Sequence, residues 1–499
     1  MDIVKIGVNR KTFINPMLRK WKIPLQLSFD GTRPLYQQIE AAIEEEIKKG
    51  RLAADTAMPG TRELAKELKV HRKTVVQAYD RLLSRGLLYT RQKQGTFVAA
   101  EKDSTRYATL LSKAPFAFRT FKVDFTEDLP PMQSGLIKFD DGFPDPRLGP
   151  LLELTGTYRT IFKRTLRQRQ MEFQNPKFYD PLRDVYINML NQQRGLNVSP
   201  DRACFVVGQQ MGLYMVAQVL LKKEEVVASC NPGDPFAWHI FQSVGAKLAA
   251  VRSDEKGMDT AHLEELLKTQ KIKLVYTSPQ CQYPTTATMS HERRRHLLQL
   301  SETYGFAIIE ADYDHEYWYG AQPYVPLAAE PHGGQVIYIS ALSKLLPPFY
   351  LMGVVCGPAD FIRSLTALRE MIGQQGDILL EHATEDLIRD GVIAKAVRKS
   401  VHHYKEKREY VSAILYNYLY KHVQFQVPQA GLAYFLQFRD DIDLTNLLTR
   451  LKQKGIYIRN PGSASFDDTP PRHLRIGFGA LDLRELEQGV KTIADILSA

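Results

Sequence analysis

The stretch QVIYISALSKLLPPFYLMGVV, residues 335–355, decides how the larger part of this chain folds. Its first half is a β-branched run that reads as a buried strand. It leads straight into Ser343-Lys344, then two prolines, then a second apolar run. Lysine is among the residues least often buried, so one at the mouth of a core strand needs a reason. Upstream, the same alternation repeats. ACFVV (203–207) precedes the helical QQMGLYMVAQVLL, EEVVAS (224–229) precedes AWHIFQSVG, and KLVYTS (273–278) precedes HERRRHLLQLSETYG; AIIEADY and VIYIS follow. Strands alternating with helices predict an α/β domain with a mainly parallel sheet covered on both faces. Ligands in such sheets bind beyond the carboxyl ends of the strands. Gln209, Tyr283, Tyr313, Ser343 and Lys344 gather at those ends.

A lysine amine in a partly desolvated pocket can form an imine with an aldehyde. Backbone amides opening a helix, as in VVGQQM, suit a phosphate, and a nearby tyrosine can hydrogen-bond a phenolic oxygen. Together these pieces describe a pyridoxal phosphate pocket. Separately, a Ser-Lys after a strand also describes an ordinary exposed loop.

The totals bound the rest. The chain has 499 residues, 44% hydrophobic and 24% charged, with a formal net charge of +10. That is ordinary for a globular protein of several domain lengths. No run of about 18 apolar residues suggests a membrane span, and MDIVKIGVNRKTFINPMLRK does not read as a secretion signal. Cys204, Cys230, Cys281 and Cys356 form no CxxC pair, which predicts reduced thiols, a cytoplasmic setting and no metal site.

The charge is concentrated. Residues 51–100 carry ten basic side chains against four acidic ones, which points to a polyanion partner. RPLYQQIEAAIEEEIKKG (33–50) has Leu35, Ile39, Ala42, Ile43 and Ile47 on one helical stripe, stopped by Gly50. MPGTRELAKELK predicts a short helix with Leu64, Ala65 and Leu68 inward. HRKTVVQAYDRLLSRG predicts another, with Val75, Ala78 and Leu82 inward and Arg72, Lys73, Gln77 and Arg81 outward. LLYTRQKQGTFVAA predicts a hairpin around Gln92–Gly95. This is the order of a winged helix-turn-helix, whose second helix of the pair meets base edges at its N-terminal end. A small helical domain with a solvated basic face fits the same periodicity.

Residues 101–135 break the pattern with charges, Pro130-Pro131 and Gly135, and predict a linker. The expected domains are therefore 33–100, a DNA-binding domain; 101–135, a linker; and 136–499, an effector-binding and dimerisation domain.

PLYQQI, PGTRELAKEL, VHRKTVVQAYDRLLSRGLL and QGTFV resemble, in order and spacing, the DNA-binding domain of GntR-type transcription regulators. DGFPDPRLGP, FYDPLRDVYINMLNQQRG, VVGQQMGL, SPQCQYPTTATMSHERRRHLL, IIEADYDHEYWY, YISALSK and LRIGFGALDLRELEQGV resemble the aminotransferase-like domain of MocR-type regulators. That subfamily joins a GntR winged helix to a fold-type-I aminotransferase fold with a smaller C-terminal α+β subdomain. The resemblance implies that Arg62, Arg72, Lys73 and Thr74 contact double-stranded operator DNA, and that Gly95 lets the wing tip approach the minor groove. It implies that Lys344 forms the imine with pyridoxal phosphate, that Tyr313 bonds the ring hydroxyl, and that Ser343, Gly208 and Gln209 hold the phosphate. Arg475 would receive the carboxylate of a small-molecule effector such as an amino acid, although a surface arginine between apolar strand residues reads the same way. A homodimer is implied as well.

Several positions depart from the family pattern. Lys69 stands where glycine is common in the turn, and His71 where serine caps the recognition helix. The ring-nitrogen aspartate two residues before the tyrosine is Ala311. Asp312, one residue on, is expected to face the other way. Ala341 replaces a threonine, Leu351 replaces a phosphate-binding arginine, and Asp234, with Phe236 nearby, stands where a ring-stacking tyrosine is usual. Without the aspartate the cofactor is a poor electron sink, so a sensing role is expected rather than efficient transamination. The alternatives are a catalytic aminotransferase with an accessory DNA-binding domain, and a regulator whose pocket has lost the cofactor.

Overall fold

The structure is a computed structural model that describes residues 27–28, 33–92, 94–99, 135–168, 180–342, 344–346, 352–373, 377–459, 466 and 472–498. Residues 101–134 of the expected linker, together with Lys93, Ser343 and Leu351, lie outside the described residues. The chain divides into two compact units, 1–122 and 123–499.

In the first unit, α1 (Leu35–Lys48), α2 (Thr61–Glu67) and α3 (Arg72–Ser84) precede a hairpin of β1 (Leu88–Arg91) and β2 (Gly95–Val98). The apolar stripes meet in one core of Ile39, Ile43, Leu64, Val75, Ala78, Tyr79, Leu82, Leu88 and Val98. Fully burying an aliphatic side chain of this size stabilises by about 1.5–3 kcal/mol, so the periodicity alone accounts for the packing. The turn before α3 needs a left-handed residue, and Lys69 supplies it with φ +52°. His71 caps α3, its Nδ1 accepting from the Lys73 amide at 3.2 Å. Thus both departures from the family pattern are accommodated where glycine and serine would have served. The hairpin gains a third edge through a bridge from Ala57 to Phe97, with the Met58 amide donating to the Thr96 carbonyl at 2.8 Å.

In the second unit β3 (Ile137–Phe139) pairs in parallel with the strand Ile456–Ile458. The unit is built on an eight-stranded sheet of order β4-β11-β10-β9-β8-β5-β6-β7. Its strands are β4 (Ala203–Val206), β5 (Val226–Asn231), β6 (Lys247–Asp254), β7 (Gly257–Met258), β8 (Ile272–Thr277), β9 (Ala307–Asp312), β10 (Val336–Ala341) and β11 (Gly353–Cys356). The pairs β5/β6, β5/β8, β8/β9 and β9/β10 are parallel; β11 runs antiparallel to β10 and β4. Helices cover both faces. One face packs Tyr276, Ile309, Ala311 and Ile339 with Leu213, Met215 and Val216 of the helix Gln209–Leu220. The near-continuous apolar strands predicted this burial.

A smaller C-terminal subdomain carries a three-stranded sheet of Val423–Gln424, Ala433–Phe438 and His473–Gly477. The long helix Val392–Leu419 and the terminal helix Leu483–Ser498 contribute to its core. Among the described residues no helix is long and apolar enough to cross a membrane. All four cysteines are free.

Candidate functional site

On the first unit the outward side of α3 divides into two kinds of arginine. Arg62, Arg72 and Lys73 are exposed, and Thr74 is half-buried at the first turn of α3. Among the described residues Arg72 makes a weak contact, Nε to the Thr61 hydroxyl at 3.5 Å. Arg81, which the sequence grouped with them, is instead engaged by Glu40 of α1 at 2.6 Å. Glu40 also takes Arg85 at 3.0 Å. Burial opposes the charge on Glu40, but the two guanidinium groups outweigh it and hold its carboxyl below the usual range. These arginines tie α1 to α3, and the free cations sit at the N-terminal end of α3. Arg91 is likewise spent, pairing with Asp55 at 2.9 Å and lying 4.8 Å from the Phe97 ring centroid. Gly95 is exposed at the hairpin turn with φ +116°, a conformation suited to glycine.

On the second unit the polar residues converge beyond the carboxyl ends of the parallel strands. Gly208, with φ +78°, starts the helix Gln209–Leu220, and among the described residues no side chain caps it. Amides at an uncapped helix start suit an anion. The start of β11 lies close by: a Cβ on Gly353 would sit 3.3 Å from the Gly208 carbonyl carbon.

Lys344 follows β10 and is only 19% exposed at its side chain. Its Nζ donates to Asp314 Oδ1 at 2.6 Å and lies 5.5 Å from the Phe143 ring centroid. Its own amide donates to Glu316 at 3.0 Å. The lysine side chain is thus about four-fifths buried and is held by a buried carboxylate from the loop after β9. Sequence reading missed Asp314, although it stands next to Tyr313 in the quoted motif.

Tyr313 is part of a hydrogen-bonded chain. Its hydroxyl is 2.6 Å from that of Tyr276, which donates to Asp234 Oδ2 at 3.0 Å. Burial raises both phenols well above their ordinary values, and it raises Asp234 too. Asp234 also caps the helix Pro235–Ser243 through the Phe236 amide at 3.0 Å. The position where a stacking tyrosine is usual is therefore a structural cap. The Phe236 ring beside it lies 5.2 Å beneath the Arg459 guanidinium.

Arg475 is buried, not a surface arginine. It donates to the Asp141 carbonyl through Nε at 3.3 Å and a terminal nitrogen at 3.2 Å, and to the Pro284 carbonyl at 3.0 Å. It also stacks 5.1 Å over Tyr283. Among the described residues, three of its five N–H groups are used on the main chain, leaving two. Gly477, two residues on, has no room for a side chain: a Cβ would sit 2.2 Å from Asp140 Oδ1.

The strand parity at β9 settles the orientation of Asp312. The β9/β10 register runs without a shift from Ile308 opposite Val336 to Asp312 opposite Ser340. Ala311 therefore faces the helix Gln209–Leu220, and Asp312 faces away. There it accepts from Arg194 and from the Tyr338 hydroxyl, both at 2.6 Å, with both charged side chains under a tenth exposed. Arg194 donates further to Gln280 at 2.7 Å. Among the described residues no cluster of three or more His, Cys, Asp or Glu could hold a metal.

A winged helix-turn-helix joined to a large aminotransferase-like α/β domain defines the class. Residues 35–98 match the gntR family of bacterial regulatory proteins. The HTH-type transcriptional regulator TauR of Rhodobacter capsulatus is 28% identical over 498 residues, covering 95% of this chain and 99% of its own. The probable rhizopine catabolism regulatory protein MocR of Rhizobium meliloti is 26% identical over 480 residues, covering 94% and 95%. Among solved structures, an archaeal alanine:glyoxylate aminotransferase superposes with a TM-score of 0.68 at 25% identity, over 79% of this chain and 94% of its own. The chain carries a GntR-type helix-turn-helix domain followed by an aminotransferase-like domain, and over nearly its whole length it is similar to HTH-type transcriptional regulators, which supports its reading as a DNA-binding regulator.

Proposed function

We propose that the aminotransferase-like domain is the regulator's small-molecule sensor, holding pyridoxal phosphate at Lys344 and reading an amine-bearing effector, while a homodimer presents two winged helices to operator half-sites. The observation that carries this reading is the placement of Lys344. Its amine is held by the buried Asp314, and the side chain is only 19% exposed rather than extended into solvent. The neighbouring groups suit the cofactor: the uncapped helix start at Gly208 and Gln209 for its phosphate, and Tyr313 for its ring oxygen. When bound, the cofactor supplies an aldehyde that a primary amine can capture. Arg475, with two N–H groups left, suits an effector carboxylate.

Turnover is disfavoured on this reading, because Ala311 offers no carboxylate and Asp312 is committed to Arg194 on the opposite face. In the DNA-binding unit, Arg62, Arg72, Lys73 and Thr74 are the contacts proposed from α2 and α3, with the Gly95 turn as the wing tip. A dimer suits two half-sites about one helical turn apart.

Two measurements test the proposal. The purified chain with added pyridoxal phosphate should show a visible absorption band that is absent from Lys344→Ala; equal spectra would reject the site. Anisotropy titrations of the chain's own upstream region should show sequence preference at physiological salt. Arg72→Ala should weaken binding and lower the salt slope by about 1 if it meets a phosphate.

A further inference from the structure

We propose that the Ser278 hydroxyl is the hydrogen-bonding partner of the cofactor's pyridine nitrogen, in the place of the carboxylate that position 311 lacks. The inference rests on the reading of Lys344 as the cofactor lysine. It begins with register. Along the parallel pair β8/β9, Tyr276 lies beside Ile309 and Thr277 beside Glu310. One further step sets Ser278 beside Ala311. Ser278 precedes Pro279, and a residue before proline is held extended, so side-chain alternation continues past the strand's end. Ser278 then shares the face of Tyr276 and Ala311, the face covered by the helix Gln209–Leu220 whose start is the phosphate cradle.

The second observation is independent of register. Ser278 is 3% exposed, and its Oγ is a buried polar atom without a hydrogen-bond partner among the described residues. A buried polar group left unpaired is unfavourable, so the hydroxyl suits a ligand atom that completes it. Its neighbours cannot do the same work. The Tyr276 hydroxyl is committed to Asp234 and Tyr313, and Ser340, in register with Asp312, shares the opposite face with His315.

The chemistry of the substitution is specific. A carboxylate stabilises a protonated ring nitrogen, because it favours the cationic form. A hydroxyl gives up no proton at neutral pH and donates to an unprotonated nitrogen instead. The site therefore orients the ring while leaving it without the positive charge that draws electrons from a bound amine. Retention of the cofactor is separated from turnover, as a sensor requires.

The test uses the full chain loaded with pyridoxal phosphate carrying nitrogen-15 in the ring. The ring-nitrogen resonance of the wild type should report an unprotonated, hydrogen-bonded nitrogen between pH 6 and 8. Ala311→Asp should move it to the protonated position. Ser278→Ala should keep the nitrogen unprotonated, shift its resonance by loss of the donor, and weaken cofactor binding about 2- to 10-fold, the value of one neutral hydrogen bond. Ser278→Thr, which keeps the hydroxyl, should restore both. A protonated nitrogen in the wild type, or a Ser278→Ala variant unchanged in resonance and affinity, overturns this proposal while leaving Lys344 in place. Loss of any Lys344-dependent band in the wild type overturns the underlying reading as well, so the two failures are told apart.

Discussion

The large unit holds a buried ion pair, Asp312–Arg194, that can be broken deliberately. Asp312→Asn keeps the shape of the side chain and its acceptor for Tyr338 but removes the charge. Arg194 is then left cationic at 6% side-chain exposure, with its carboxylate partner gone. Removing one member of a buried ion pair typically costs about 3–5 kcal/mol. For a unit the size of residues 123–499, at about 2.1 cal/mol/K of unfolding entropy per residue, this lowers the melting temperature by about 4–6 °C. Calorimetry of the full chain reads the shift, and the companion Arg194→Met completes a double-mutant cycle. In the cycle the double variant should recover part of the loss, because no unpaired charge remains. The cofactor spectrum should be unchanged, since Asp312 lies on the face of β9 opposite to that of Ala311. A melt within about 1 °C of the wild type, accompanied by an altered spectrum, would refute the parity argument on which the site description depends.

Further expectations concern single side chains. Burial pushes the His473 imidazole down to about 4, whereas the unfolded chain protonates near 6.5. Between those values the unfolded state binds more protons. Stability therefore falls as pH falls, by up to about 1.4 kcal/mol per unit. His473→Phe, which keeps the ring against Phe435, should flatten the pH dependence of the urea midpoint in that window; an unchanged slope would contradict the assignment. Lys69→Gly relieves a left-handed cost of about 1–2 kcal/mol and loses about 0.5–1 kcal/mol to glycine's freedom. Slower hydrogen exchange in α2 and α3 is expected, and faster exchange would show that the turn does not require that conformation. His71→Ala removes the α3 cap at a cost of about 1 kcal/mol. Exchange at the Lys73 amide should quicken, and His71→Ser should reverse the effect.

What could be read from sequence was what depends on local periodicity. The stripe through Ile39 and Ile43, the inward set Val75, Ala78 and Leu82, and the β-branched run before Lys344 all met the faces they implied. The two-residue period also placed Asp312 correctly on the far face. What could not be read was partnership at a distance. Nothing near Arg194 in sequence marks Asp312 as its partner 118 positions on. The grouping of Arg81 with Arg72 followed helical spacing alone and could not foresee Glu40, which reaches it from another helix. Asp314 and Ser278 were visible as residues, but their meaning comes from the register of adjacent strands. Arg475 could have stood at the surface or in the core, and only packing decided between them.

The flawless register of β9 has an evolutionary corollary. Because neighbouring positions on a strand serve opposite sides, the girder at 312 and the vacancy at 311 are inherited independently. A lineage could forfeit or recover chemical turnover through one side chain, with the framework beneath it undisturbed. Such a chain remains one substitution away from the acidic group an enzyme would use there.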